Sequence, residues 1–260
     1  MMTKREEQSP VPAAKNGFSL ISDEKLLALY STMLKCRMLQ ERIRILLKQN
    51  KFDGNDYAAA GQEAVAAGVA INLLSEDTIS TFPRDLIPLF IKGLLLEELF
   101  SRLLIANAPS SSIAAQLNFA ISTTIASKSN HTNKIAVAFC SRDYTSHSPW
   151  QEALKFAGEN TLPILFVSRC APPAEPALLD PQINARRIPL RSKAYSFPTI
   201  TVEGNDAVAV YRVAFEAIAH ARKGDGPTLI ERQSWQAGEP LLNMENYIIR
   251  KGLYSEKCKR

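Results

Sequence analysis

An α/β fold, a mainly parallel sheet with helices on both faces, is what the order of apolar segments predicts. Three runs carry the prediction: KIAVAFC (134–140), LPILFVS (162–168) and TLIER (228–232). Each is short, continuous and rich in apolar residues, the pattern of strands buried on both faces. Segments with helical periodicity separate them, so the chain alternates strand and helix as a parallel sheet requires. Such sheets bind ligands outside the carboxyl ends of their strands. The places to inspect therefore follow Phe82, Cys140 and Ser168.

The elements follow in chain order. Residues 1–20 are polar and contain proline, which predicts a flexible arm. Ser22 and Asp23 can cap a first helix. Its apolar stripe is Leu26, Tyr30, Met33, Leu34, Leu39, Ile43, Leu46 and Leu47, ending at 50–54. Residues 58–74 are rich in alanine, with Gly61 and Gly68 among them. Each glycine costs a helix up to ~1 kcal/mol, which close backbone packing would offset. TISTF (78–82) reads as a short strand stopped by Pro83, and 89–104 as an amphipathic helix. A second helix of small residues spans 113–126. Pro149 suits the first turn of a helix running to Ala157. A connection rich in proline covers 172–189. Residues 199–202 form a strand, and Asp206 caps a helix from 207 to 222. The expected organisation is an arm (1–20), a single domain (21–236) and a basic C-terminal tail (237–260).

Composition narrows the function classes. At ~150 residues per domain, 260 residues allow one or two. Hydrophobic residues at 46% and charged residues at 22% fit a soluble globular chain and exclude collagen, wholesale disorder and a small disulfide scaffold. The longest apolar stretch, 86–96, is broken by Pro88 and Lys92, short of the ~18 residues a membrane span needs. No secretion signal is read at the N-terminus, and Glu6 and Glu7 argue against a transit peptide. The formal net charge is +5, and most of it lies in 250–260, where Arg250, Lys251, Lys257, Lys259 and Arg260 face only Glu256. That distribution predicts a solvated tail rather than a nucleic-acid-binding face. The four cysteines, at 36, 140, 170 and 258, make no CxxC pair, and the three histidines are scattered. Neither set predicts a metal centre, and the cysteine usage fits a reducing, cytoplasmic setting.

Taken together, GQEAVAAGVAINL (61–73), TFPRD (81–85), AVAFCSRDYTSHSPWQEALKFAGENTLPILFV (136–167) and ITVEGNDAVAVYRVAFEAIAHARKGDGPTLIE (200–231) carry a family signature. In this order they resemble the alpha subunit of thiamine-diphosphate-dependent 2-oxo acid dehydrogenases, the pyruvate dehydrogenase type. The resemblance spans residues 22–236. It implies a thiamine-diphosphate-binding fold, a cofactor held through Mg²⁺, and assembly as a homodimer or as a heterotetramer with beta-type subunits. Mg²⁺ takes oxygen ligands in an octahedron and grips the diphosphate. In the family those ligands come from a Gly-Asp-Gly turn after one strand and an Asn after the next.

This chain departs from that pattern. Ser141, Arg142 and Asp143 stand where Gly-Asp-Gly is expected, so Arg142 replaces the metal-binding Asp. The Asn position falls at Cys170 or Ala171. Leu86, Ile87 and Pro88 occupy the stretch where the family carries a His after Arg84-Asp85. ANAPSSS (106–112) replaces a Gly-Gly-Ser-Met-His loop. Gly224-Asp225-Gly226 spells the missing motif, but before TLIE, where the family has a surface turn.

Two functional readings follow. In the first, the chain is a degenerate alpha-subunit homologue with a structural or regulatory role and no tightly bound cofactor. In the second, it is an active oxidoreductase subunit working with a beta partner, with Asp143 as metal ligand. Sensing of a phosphorylated metabolite on the same fold is a third. Arg84, Arg142 and Arg169 could hold a phosphate directly, since guanidinium groups bind phosphate bidentately; alternatively Arg142 pairs with Asp143 or with a partner chain. His147 reads as a solvated residue at a helix start, His220 as structural and Trp150 as core.

Overall fold

The computed structural model describes residues 21–49, 61–81, 85–105, 112–141, 147–169, 197–233 and 239–254, with the side chains of 103–105, 141 and 169 left aside. Five strands, β1 (Thr78–Ser80), β2 (Ala136–Ser141), β3 (Ile164–Arg169), β4 (Thr199–Glu203) and β5 (Thr228–Gln233), form one sheet. The order is β1-β2-β3-β5-β4 and every neighbouring pair is parallel. This is the α/β architecture expected.

Alternation along the strands decides which helix covers which face. Ala136, Ala138, Cys140, Ile164, Phe166 and Leu229 point to one side. There they meet α5 (Ile113–Ser129) through Leu117 and Ala120, and α6 (Ser148–Glu159) through Trp150, Ala153, Leu154 and Ala157. Val137, Phe139, Leu165, Val167 and Ile230 point to the other. They pack on α2 (Glu63–Ala70) through Val65 and Val69, and on α7 (Ala207–Arg222) through Val210, Ala214 and Ile218. Both faces are dry, which is why these strands read as unbroken apolar runs.

Gly68 shows why the second helix tolerates glycine. A Cβ there would fall 2.8 Å from Val210 Cγ1 and 3.0 Å from the Tyr211 nitrogen, so the missing side chain lets α2 lie directly against α7. Gly61 lies outside the helix, in the turn before it, with φ +93°. The helix thus starts at Glu63.

Four sequence expectations change in detail. The segment 89–104 is two helices, α3 (Ile87–Ile91) and α4 (Leu96–Ile105), because Gly93 adopts φ +102° between them. The helix within 58–74 is cut to 63–70. The small-residue helix runs on to Ser129, where Ser112 caps its start by accepting from the Ala115 N–H at 3.2 Å. Residues 240–250, assigned to the tail, form a helix, α8 (Pro240–Arg250). Its Met244 and Ile248, four apart, are buried against Leu26, Leu29 and Met33 of α1 (Asp23–Gln49). The basic residues at its end hide that apolar spacing. The arm 1–20 and the connection 172–189 lie outside the described residues.

The amino edge of the sheet is locked by one buried carboxylate. Asp77 accepts N–H groups of Leu74 at 2.7 Å and Ile135 at 3.1 Å, and Arg222 Nη1 at 3.0 Å; Arg222 Nη2 closes on its other oxygen. Arg222 also donates to the Asn133 carbonyl at 2.9 Å. The clasp ties the end of α7 to the starts of β1 and β2. Removing one partner of a buried pair strands the other, at a cost of about 3 kcal/mol. Asp77→Ala should therefore lower the urea-unfolding free energy by about 3 kcal/mol, and a loss within experimental error would refute the clasp. Gly68→Val should lower it by about 2 kcal/mol through overpacking against Val210.

Candidate functional site at the carboxyl edge

Parallel strands deliver all their carboxyl ends to one edge: Ser80, Ser141, Arg169, Gln233 and Glu203. The helices that pack back on the sheet start from the same edge. Asp206 caps α7 by accepting from Val208 and Ala209 N–H groups at 3.0 and 2.9 Å, and Glu239 caps α8 through the Leu242 N–H at 3.0 Å. Among the described residues, the N-cap side chains of α2 and α6, Gln62 and His147, make no capping hydrogen bond.

Two of the family segments, 61–73 and 200–231, meet here. Glu63, from the GQEA segment, is fully buried. One carboxylate oxygen accepts from Arg37 Nη2 of α1 and the other from the Gly61 N–H at 2.9 Å. Arg37 Nη2 also donates to Glu239, at the start of α8. Burial alone would lower the Arg37 pKa, but the carboxylates of Glu63 and Glu239 outweigh it and hold the guanidinium above its ordinary value. A second guanidinium, Arg232 at the end of β5, is 2% exposed and donates to the Gly61 carbonyl at 3.0 Å and toward Asn205 Oδ1 at 3.4 Å. Its side chain lies directly over Gly204, where any Cβ would collide with it. The Asn205 N–H in turn donates to Glu203 Oε1 at 2.9 Å. Residues 37, 61–63, 203–205 and 232, with Glu239 at the exposed rim, therefore form one polar knot joining α1, α2 and α8 to β4 and β5.

Sequence reasoning singled out GQEA and VEGND as motifs but not this knot. Arg37 and Arg232 carry no local signal, because their partners are 26 to 202 positions away. Glu63 within an alanine-rich helix was the available clue, since a carboxylate in an otherwise apolar segment needs a partner.

At the other end of the sheet the Ser80 hydroxyl donates to the Gln116 carbonyl at 2.7 Å, and Thr81 Oγ1 donates to Asp85 Oδ2 at 2.7 Å. Between them, β2 and β3 pair Ser141 with Arg169 and Cys140 with Ser168. The chain thus leaves two adjacent strands at the same level, into residues 142 and 170. Of the three arginines assigned to phosphate, Arg84 and Arg142 lie outside the described residues, and Arg169 is placed only by its backbone, as the last residue of β3. Asp143, Cys170 and Ala171 are likewise outside. Among the described residues, no group of three His, Cys, Asp or Glu is arranged to hold a metal ion.

The remaining candidates resolve individually. Trp150 is core, edge-on to Phe166 with centroids 5.3 Å apart. His147 is exposed at the start of α6. His220 lies in the last turn of α7, with Nδ1 3.6 Å from Asp225 Oδ2. Gly224 and Gly226 take φ +82° and +100° in the turn from α7 to β5, at the amino edge, on the far side of the sheet from the strand ends. The Gly-Asp-Gly spelling is a turn.

Burial pushes the Cys36 thiol up to about 12, and the Glu63 carboxylate adds to the shift. A thiol this reluctant to ionise is inert, because the thiolate is the nucleophile. At pH 8, maleimide labelling followed by peptide mapping should leave Cys36 unmodified in the folded protein and modified in urea; rapid native labelling would contradict its placement. The raised value also means that the stability contributed by the protonated thiol is complete below pH 9 and is lost as pH rises through 9 toward 12.

The profile of the dehydrogenase E1 component family matches residues 30–243. The alpha subunit of acetoin:2,6-dichlorophenolindophenol oxidoreductase from Bacillus subtilis is 28% identical over 243 residues, covering 85% of this chain and 73% of that protein. The pyruvate dehydrogenase E1 component subunit alpha of Acholeplasma laidlawii is 28% identical over 274 residues, covering 90% and 78%. The 2-oxoisovalerate dehydrogenase subunit alpha of B. subtilis is 24% identical over 286 residues, covering 92% and 86%. The buried convergence of its motifs and the match along most of its length together place this chain in the dehydrogenase E1 component family, beside alpha subunits.

Proposed function

We propose that this chain is an E1 alpha-type subunit that has exchanged its metal-dependent cofactor site for a structural or regulatory role in an assembly with a beta-type partner. One observation carries the reading. β2 and β3 end in register at Ser141 and Arg169, and the residues that follow them in the sequence at the family's ligand positions are Arg142, Cys170 and Ala171. Mg²⁺ requires hard oxygen donors in near-octahedral geometry. A guanidinium, a thiol and a methyl group do not supply them, so the donor set does not fit the ion. A cation in place of a carboxylate also repels it, by ~1 kcal/mol per unit charge at 4 Å in water and about fourfold more at an effective dielectric of 20.

In the sequence Arg84 follows β1, Arg142 follows β2 and Arg169 ends β3. They suit a phosphate held by guanidinium groups directly, without metal. Cys36 and Cys140 are buried and not joined in a disulfide, which fits a reducing, cytoplasmic setting. Among the described residues no helix is long and apolar enough to cross a membrane.

Titration calorimetry of the chain, alone and mixed with a beta-type subunit, separates the readings. The proposal expects no Mg²⁺-dependent heat with thiamine diphosphate in either mixture. Tight binding that requires Mg²⁺ would sink it and favour an active oxidoreductase subunit with Asp143 as ligand. For the phosphate, Arg142→Ala should weaken inorganic pyrophosphate binding roughly tenfold, the loss of one charge-assisted contact; unchanged affinity would remove the arginine site.

A further inference from the structure

The helix α8 lies outside the sheet and is lightly anchored. Of its 11 residues, Pro240, Met244 and Ile248 are buried, with Leu241 and Tyr247 half-buried beside them. On its outer side Leu242 and Ile249 are half exposed. A helix this short is marginal in water without tertiary packing, so α8 keeps its shape only while docked. It docks on Leu26, Leu29 and Met33 of α1, with Ala64 of α2 and Val208 of α7 in the same cluster. Its amino end is fixed by Glu239, which is 44% exposed yet does two things. One carboxylate oxygen accepts from Arg37 Nη2, and the other caps the helix through the Leu242 N–H at 3.0 Å. Arg37 does not depend on this contact, because the same nitrogen also pairs with the fully buried Glu63. Pro240, the next residue, sits over the polar knot, its Cδ 3.9 Å from where a Cβ on Gly61 would stand. Gly61 is the residue whose N–H meets Glu63 and whose carbonyl meets Arg232.

We propose that α8 is a strap over the carboxyl edge, a helix that docks and melts as a unit of its own with Glu239 as its latch. Its release opens the polar knot and the Leu26–Leu29–Met33 strip of α1 to solvent. The asymmetry at Arg37 makes release possible. Losing Glu239 leaves Arg37 still neutralised by Glu63, so no buried charge is stranded, whereas losing Glu63 would strand one. What release gives up is a partly exposed ion pair, one helix cap and the contacts of a few apolar side chains. The sheet, buried on both faces, gives up far more when it opens, and elements with few buried contacts open below the global cost. Access to the carboxyl edge is then conditional on the state of a helix that takes no part in the sheet. A ligand or partner chain that binds the opened edge shifts the population toward the released strap, and one that binds over α8 shifts it back.

Hydrogen exchange followed by mass spectrometry on the full chain, without cofactor, tests it. In the wild type the amides of 240–250 should exchange well before those of β2, β3 and β5. Glu239→Ala removes both cap and ion pair and should speed exchange in 240–250 by roughly tenfold, with the strands unchanged. Glu239→Gln keeps an acceptor for the Leu242 N–H but loses the charge, and should fall between the two. Oxidation by dilute hydrogen peroxide gives a second reading, because Met33 and Met244 are buried in the docking contact while Met38 is 63% exposed. In Glu239→Ala the oxidation of Met33 and Met244 should rise by the same factor as exchange, and that of Met38 should not change. The wild-type exchange order needs no variant, so a poorly folded substitution does not leave the strap untested. Exchange of α8 only together with the strands, no response to Glu239→Ala, a Glu239→Gln chain identical to the wild type, or Met33 as protected as before would overturn the proposal. None of these readings involves thiamine diphosphate, so the strap and the proposed loss of the metal site fail separately.

Discussion

Five parallel strands put every carboxyl end on one edge, and the charges gathered there must be neutralised by one another. Glu63 sets the terms. A fully buried carboxylate is tolerated only when paired and hydrogen-bonded. Arg37 and the Gly61 N–H satisfy it, and Arg37 extends the arrangement to Glu239. Arg232 then reaches the Gly61 carbonyl from β5 and passes over Gly204. Through these bonds α1, α2 and α8 are fixed to the carboxyl edge of the sheet. Asp77 and Arg222 do the corresponding work at the amino edge. The sheet between is held by apolar contacts on both faces.

Much of this was visible in the residues. The buried strands announced themselves as apolar runs, and Asp206 caps its helix as its position implied. The alanine-rich α2 packs tightly on α7, with Gly68 as the reason. The misses share a cause, which is that local pattern does not report on distant partners. Leu89 to Leu104 keeps an amphipathic pattern across Gly93, so the break depended on a backbone angle. Residues 240–250 looked like a charged tail because Arg250 and Lys251 close a segment whose Leu241, Met244 and Ile248 needed α1 to make them core. The polar knot joins residues from five elements, and spacing along the chain cannot reveal that.

The candidate site divides in the same way. Where it lies was legible, since parallel sheets place ligands at their carboxyl edge. The reading of Arg142 as standing where the resemblance expects Asp rests on residue type in a motif, and residue 142 lies outside the described residues. How the guanidinium groups of Arg84, Arg142 and Arg169 are disposed depends on connecting segments whose course neither strand periodicity nor register determines. What the register adds is that β2 and β3 end side by side, at Ser141 and Arg169.

The proposed loss of the metal site is a claim of coordination chemistry: that Arg142, Cys170 and Ala171 do not supply the oxygen donors a divalent ion needs. A crystal of the chain soaked with thiamine diphosphate and Mn²⁺, a Mg²⁺ analogue with an anomalous signal, tests it most directly. The account predicts no anomalous peak near residues 141–143 and 170–171. A six-coordinate ion there, ligated by Asp143 and bridging to a diphosphate, would contradict it.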